Sequence, residues 1–406
     1  MKYLLIITFV VFCAFSSTQA QKAGQHATII PAAERLADFL PMLKGKCVAV
    51  FANHTSMVKN THLVDTLVSQ GIAVKKIFAP EHGFRGTADA GSKIENQVDQ
   101  KTRIPVISLY GKKLRPSSED IKDIDVLLFD IQDVGVRFYT YISSLEEFMK
   151  SAIQENKPLI VLDRPNPNGF YIDGPVLQPQ FKSFIGMQPV PVVYGMTIGE
   201  YAKMLVGEKM FDDATRKKIE ANNWNKLTVI KCANYDHNSM YALPVKPSPN
   251  LPDMAAIYLY PTTCFFEGTV LSEGRGTDKP FKVFGHPTLP KTLYAFTPRS
   301  IAGASKPKLV DQTCYGWNLS GTDEQVLELI NCKIQLKYLF EAYKLFPQKD
   351  SFFLTNKFFN KLAGNDLLMQ QIKDGVSEAA IRSGWKKDID SFKLIRKKYL
   401  LYKDFN

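Results

Sequence analysis

The sequence predicts an α/β fold: a Rossmann-like, mostly parallel sheet with helices on both faces, followed by a smaller C-terminal α+β domain. Three observations carry that expectation. Short apolar runs rich in β-branched and aromatic residues recur through the first two thirds of the chain, as buried strands do. Helical patterns separate them, and strands alternating with helices argue for parallel pairing. The run Val126-Leu127-Leu128-Phe129 has no polar alternation, which suits a central strand covered on both sides.

The elements follow in order. Lys2, an apolar stretch from Leu4 to Phe15, and small residues at Thr18 and Ala20 describe a secretory signal peptide over 1–20. Export to the periplasm is therefore expected. Cys47 to Phe51 reads as the first strand, Leu63 to Ser69 as a helix, and Val74 to Ala79 as the second strand. Ile104 to Tyr110, Val126 to Ile131 and Leu159 to Leu162 read as further strands. Ser144 to Ile153 has apolar spacings of three and four and reads as a helix. This Rossmann-like catalytic domain is expected over 21–290. A Pro/Gly-rich stretch from 163 to 191 reads as a long ordered loop, because aromatics are interleaved in it. Past Pro290 come three lysine-rich helical patterns and the strand-like Lys333 to Leu336, expected as an auxiliary domain over 291–406.

Composition narrows the class. Apolar content of 45% and charged content of 22% are ordinary for a globular protein. The formal charge is +11, and only Lys2 leaves with the leader. Such an excess reads as a solvated basic face or as attraction to an anionic polymer outside the cytoplasm. No interleaving of arginines and aromatics suggests nucleic acid. Five cysteines outlast the leader, at 47, 232, 264, 314 and 332, in no zinc-like spacing. Cys314 and Cys332 are a possible disulfide, and the others read as thiols. No metal, no cofactor and no membrane span is expected.

Polar clusters recur just past the predicted strands. They are Asn53-His54-Thr55-Ser56, Pro80-Glu81-His82-Gly83-Phe84-Arg85-Gly86, Asp130 through Tyr141, Asp163 through Gly169, and Phe266 through Asp278. Ligands of α/β sheets bind at the carboxyl ends of strands, so this recurrence suggests one shared crevice. Carboxylates, arginines, amides and tyrosines suit glycoside cleavage, which needs a carboxylic acid for the leaving oxygen. It also needs a second carboxylate or the substrate's own acetamido group. Glu81 is placed for the general acid, flanked by Pro80, Gly83 and Phe84, which can exclude water. Its structural alternative is to anchor the loop by accepting backbone N–H bonds. Asn53, Asn166 and Tyr139 are candidates for sugar hydroxyls, and His82 for positioning. Structural readings stand beside these: Asp130 and Asp133 as turn caps, Arg137 as a partner of Asp133, Glu273 and Arg275 as an ion pair. Dinucleotide, Walker, Gly-x-Ser-x-Gly and His-Glu-x-x-His motifs are missing, which removes their chemistries.

The same clusters, together with Pro247-Ser248-Pro249-Asn250, resemble the exo-β-N-acetylmuramidases of the NamZ type, a family long catalogued as a domain of unknown function. The motifs are long, occur in the same order and span most of 45–406. The resemblance implies a cleft between two domains and release of terminal N-acetylmuramic acid from non-reducing ends of peptidoglycan fragments. It strengthens Glu81 and offers Asp130, Glu267 and Glu273 for a second acidic role. Arg85, Arg137 and Arg275 are candidates to clamp the lactyl carboxylate, since a guanidinium grips a carboxylate through two parallel bonds. Asn250 joins the substrate-binding set. The 163–191 loop is expected to close one end of the pocket. The rival reading is a non-catalytic binding protein for muramic-acid-containing wall fragments. A nicotinamide- or flavin-dependent oxidoreductase has only the fold class in its favour.

Overall fold

The computed structural model describes residues 27–81, 83–85 and 96–405. The leader 1–20 and His82 lie outside the described residues. Among the described residues seven strands form the main sheet: β1 (Cys47–Ala52), β2 (Ala73–Ala79), β3 (Gln97–Val98), β4 (Pro105–Ser108), β5 (Val126–Asp130), β6 (Leu159–Leu162) and β7 (Leu227–Ile230). Their order is β3-β4-β2-β1-β5-β6-β7. Every pairing is parallel except the edge pair β3–β4.

Alternating side chains of the central strands feed two cores. Ala49, Phe51, Leu127, Phe129, Leu159 and Val161 point to one face. Val48, Val50, Leu128, Ile160 and Leu162 point to the other. This is the period of two imposed by the pleat, with apolar residues in both phases because both faces are covered. On the first face, Phe51 and Phe129 stack at 4.9 Å between ring centroids. Phe148, from the helix Tyr141–Gln154, meets Phe51 edge-on at 5.2 Å. On the second face lie the helices Leu36–Leu43 and Leu63–Ser69.

The first core runs on into the C-terminal part without a break. The helix Met254–Thr263 is buried at all ten positions, so it is a core rod with no polar face. A three-stranded antiparallel sheet, β8 (Val283–His286), β9 (Tyr294–Phe296) and β10 (Cys314–Asn318), is ordered β8-β10-β9. Its first strand precedes residue 290, so the small sheet straddles the expected boundary. Helices dominate thereafter, ending in Glu378–Lys397. Among the described residues no helix is long and apolar enough to cross a membrane.

One expectation is corrected and one open alternative is decided. Lys333 to Leu336 is not a strand. Ile334 and Leu336 are buried, but the backbone N–H of Ile334 donates to Asp173 (2.7 Å) and that of Gln335 to Thr262 (2.9 Å). Side chains, not a neighbouring strand, satisfy this segment. Cys314 and Cys332 are both free thiols, the first buried and the second exposed.

Candidate active site

Strand order reverses beside β1: β2 continues on one side and β5 lies on the other. Loops leaving β1 and β5 therefore diverge and open a crevice, the usual ligand position in such sheets. Most of the polar residues there are consumed by the loops themselves. Asn53 is fully buried. Its Oδ1 accepts from the Thr55 N–H (2.9 Å) and hydroxyl (2.6 Å), and its Nδ2 donates to the Tyr141 hydroxyl at 2.8 Å. His62 fixes the same turn, with Nε2 2.8 Å from the Asn53 carbonyl and Nδ1 accepting from Val64 N–H. Burial lowers the His62 pKa, in keeping with a neutral ring that donates at one nitrogen and accepts at the other.

Asp130 is a correction to the catalytic expectation. It is wholly buried, and Arg164 grips both its oxygens, at 2.6 and 2.8 Å. A carboxylate so engaged, with no open face, is a structural pair. Asn166 is likewise spent: Oδ1 accepts from Asn168 N–H and Nδ2 donates to the Met196 carbonyl, both at 2.8 Å. A Cβ at Gly135 would fall 2.1 Å from Asn166 Oδ1, so only glycine allows this contact.

Two of the three proposed clamp arginines face elsewhere. Arg137 is fully buried and pairs with neither Asp133 nor a ligand cleft. It donates to the carbonyls of Pro175, Val190, Leu362 and Ala363 at 2.7–2.8 Å. Burial lowers its pKa. It staples the loop of the first half to the helix Phe358–Ala363 of the second. Arg85 lies over the Phe84 ring and donates to Asp99 at 2.8 Å, outside the cleft wall. The 163–191 loop supplies none of the wall either.

A small cleft of about 70 Å³, open to solvent, lies between the two halves. Its wall is Glu81, Phe138 to Tyr141, Ser248, Asn250, Leu251, Tyr260, Arg275 and Phe281. Glu81 sits where β2 ends, and the Tyr110 hydroxyl, just past β4, donates to its Oε1 at 3.1 Å. Burial, reinforced by the charge of Glu81, raises the Tyr110 pKa, so this phenol remains a donor. Tyr139, Tyr141, Tyr260 and Phe281 meet edge to face at 4.8–6.0 Å, a rigid apolar surface fit to receive a sugar face. Tyr139 is held by its bond to the Pro247 carbonyl (2.9 Å), and Asn250 by its bond to the Gly303 carbonyl (3.0 Å).

Behind Arg275 lies a charge cluster. The helix Met254–Thr263 runs into a 3₁₀ turn, Cys264–Gly268, that delivers Glu267. A Cβ at Gly268 would strike the Phe359 backbone at 2.5 Å, so glycine is needed for that helix to pack against the turn. Arg275 Nη2 pairs with Glu267 at 2.6 Å, and its Nε lies 3.8 Å from Glu273. Gly274 and Gly276, at φ +83° and +82°, form the left-handed bends that hold Arg275 between the two glutamates. Burial, with the repulsion of Glu273 and Glu81, raises the Glu267 pKa against the pull of Arg275 and Lys308. Burial acts on Glu273 too, but Lys308 and Arg275 overcome it and leave its pKa lowered.

Sequence reasoning missed Tyr110 and Lys308. Tyr110 has a signal, since it ends a predicted strand beside Glu81. Lys308 has none, lying in an irregular loop between β9 and β10.

The chain is similar to known proteins. Residues 48–255 match the family described as exo-β-N-acetylmuramidase NamZ, N-terminal, and residues 258–402 match its C-terminal counterpart. The chain is 38% identical over 383 residues to the peptidoglycan β-N-acetylmuramidase NamZ of Bacillus subtilis (strain 168), covering 90% of this chain and 89% of that one. A DUF1343 family crystal structure from Bacteroides fragilis superposes with a TM-score of 0.84 at 45% identity, over 93% of this chain and all of the other. A second from the same organism gives a TM-score of 0.73 at 26% identity, over 92% of this chain and 99% of the other. With both family halves matched in order and the cleft lying between them, the chain belongs to the exo-β-N-acetylmuramidase NamZ family.

Proposed function

We infer that this protein is a glycoside hydrolase that releases terminal N-acetylmuramic acid from the non-reducing ends of peptidoglycan fragments. Family membership and the carboxyl-bearing aromatic cleft support the same reading. The observation that carries it is the placement of Glu81 and Arg275 in one aromatic wall. Glu81 supplies the proton for the departing glycosidic oxygen, and the aromatic rings seat the sugar. Among the described residues Glu81 is the one carboxylate in that wall. Asp130 is sealed, and Glu267 and Glu273 stand behind Arg275. This favours attack by the substrate's acetamido oxygen over a carboxylate nucleophile. Arg275 lines the same wall as Glu81, and its guanidinium charge suits a lactyl carboxylate.

Turnover of a chromogenic N-acetylmuramide by the purified protein tests the reading, with free N-acetylmuramic acid as the expected product. Binding of wall fragments without turnover would make it a binding protein instead. We place the enzyme in the periplasm on the strength of the leader at 1–20. Cell fractionation that finds it only in the cytoplasm would overturn that placement.

A further inference from the structure

Lys308 has no part in the chemistry described so far, yet it is unusually engaged for a loop lysine. Its ammonium donates to the carbonyls of Phe266 (2.8 Å), Glu267 (3.2 Å), Thr269 (3.0 Å) and Leu271 (3.0 Å). It also stands 3.1 Å from Glu273 Oε2, close enough to pair as a charge though not aligned as a hydrogen bond. One cation thus ties down the turn that carries Glu267 and neutralises the neighbouring glutamate. Both glutamates flank Arg275, Glu273 buried and Glu267 half-buried. Lys308 sets them further apart, since it contacts the carboxylate of Glu273 but only the backbone of Glu267.

We propose that Lys308 is a positioning residue that decides which of the two glutamates flanking Arg275 titrates: it keeps Glu273 ionised and leaves Glu267 as the proton carrier. The groups facing the pair are Arg275 and Lys308, Glu81 across the cleft, and Tyr260 and Cys264 from the adjoining helix and turn. Of these, Lys308 and Arg275 are cations, and Arg275 lies 2.6 Å from Glu267 but 3.8 Å from Glu273. Without Lys308 the closer cation would favour ionised Glu267, and the proton would move to Glu273. The consequence falls on Arg275. When Glu267 is protonated its grip loosens, and the guanidinium is available to an anionic substrate group. This last step rests on the assignment of Arg275 to the substrate-binding wall.

The test has an arm that does not depend on turnover. Protein labelled with ¹³C at glutamate carboxyls is titrated by NMR, with E267Q and E273Q assigning the two signals. In K308M the Glu273 step is expected to rise by about one to three pH units, the usual effect of losing an opposite charge at this range. K308R is expected to restore it. A Glu273 step at the wild-type position in K308M would overturn the proposal and leave Lys308 as a clasp for the turn. If K308M fails to fold, E273Q decides. Removing the Glu273 charge should lower the Glu267 step, and an unmoved step overturns the proposal. In the second arm, the alkaline limb of kcat/KM on an N-acetylmuramide moves to lower pH in K308M, because ionised Glu267 then holds Arg275, and returns in K308R. A uniform loss at all pH values, with the limb in place, would mean a structural role only. If wild-type protein shows no turnover, the hydrolase reading fails while the titration still decides Lys308.

Discussion

The loops that leave β1, β5 and β6 and the segment from Glu267 to Arg275 are both dense with charge, but they use it differently. In the first, most charges and amides are tied up inside the protein: Asp130 with Arg164, Asn53 with Thr55 and Tyr141, Asn166 with Asn168 and Met196. One oxygen each of Asp133 and Asn168 lacks a partner among the described residues. In the second, two glutamates compete for one arginine, and that arginine keeps one N–H unpartnered. Buried polar groups are normally satisfied, so the first region behaves as architecture. The second holds an imbalance of charge around an arginine that also lines the cleft. Glu81 belongs with the second by position, although its loop follows the first by sequence.

Substitutions should separate the two regions by what they damage. Glu81→Gln should lower kcat/KM by about 10²–10⁴-fold, the usual contribution of general acid–base catalysis, with an unchanged unfolding curve. Wild-type turnover would remove Glu81 from the role. Arg164→Met should do the opposite. It strands Asp130 as an unpaired charge in the core, at a cost of about 3–5 kcal/mol, seen as a lower urea midpoint. A variant of normal stability but crippled rate would move the Asp130–Arg164 pair into the chemistry.

Why the sequence revealed one region's fold but not its role follows from the same contrast. The strands and the helix after β1 were legible because both faces of the sheet demand apolar residues, so the runs around Phe51, Leu128 and Val161 admit little else. β7 was missed because Leu227–Ile230 is only half buried over three of its four residues, which leaves a weak pattern. The crevice was legible as a place, since polar clusters at strand ends are visible in one dimension. Whether Asp130 faces a ligand or Arg164 depends on a partner 34 residues away, and no local pattern encodes that. Arg137 shows the limit most clearly. Its acceptors at Leu362 and Ala363 lie about 225 residues downstream and are main-chain carbonyls with no sequence signature.

Asp133 offers a smaller test within the architectural region. Its Oδ2 accepts from Tyr194 and from the Gly135 N–H, while its buried Oδ1 has no partner among the described residues. Burial pushes its pKa up to about 6, against the pull of those bonds. A folded-state value above the unfolded one means that the folded protein holds the proton more tightly. That stability is present below the unfolded pKa of 3.8 and is lost as pH rises through about 6. Asp133→Asn mimics the neutral form, so its stability relative to wild type should grow between pH 4 and pH 6 and then level off. The gain is limited to about 3 kcal/mol at 1.4 kcal/mol per pH unit. Parallel pH curves for the two proteins would show that Asp133 is not protonated at mild acidity.

Arg275 is where the two regions' logics meet, and it should give the smallest but most discriminating effect. As a clamp it would grip the lactyl carboxylate of muramic acid, which glucosamine lacks. As a structural residue it would merely hold Glu267. Arg275→Lys keeps the charge but loses the paired N–H geometry that suits a carboxylate. On the clamp reading, kcat/KM for an N-acetylmuramide should fall about tenfold, equivalent to about 1.4 kcal/mol of transition-state binding, while the slow turnover of the glucosamine analogue stays constant. On the structural reading both substrates suffer alike, because Glu267 is disturbed whichever sugar is bound. Equal losses would therefore return Arg275 to the company of Arg164 and Arg137, and leave Glu81 with the aromatic wall as the whole of the recognised site.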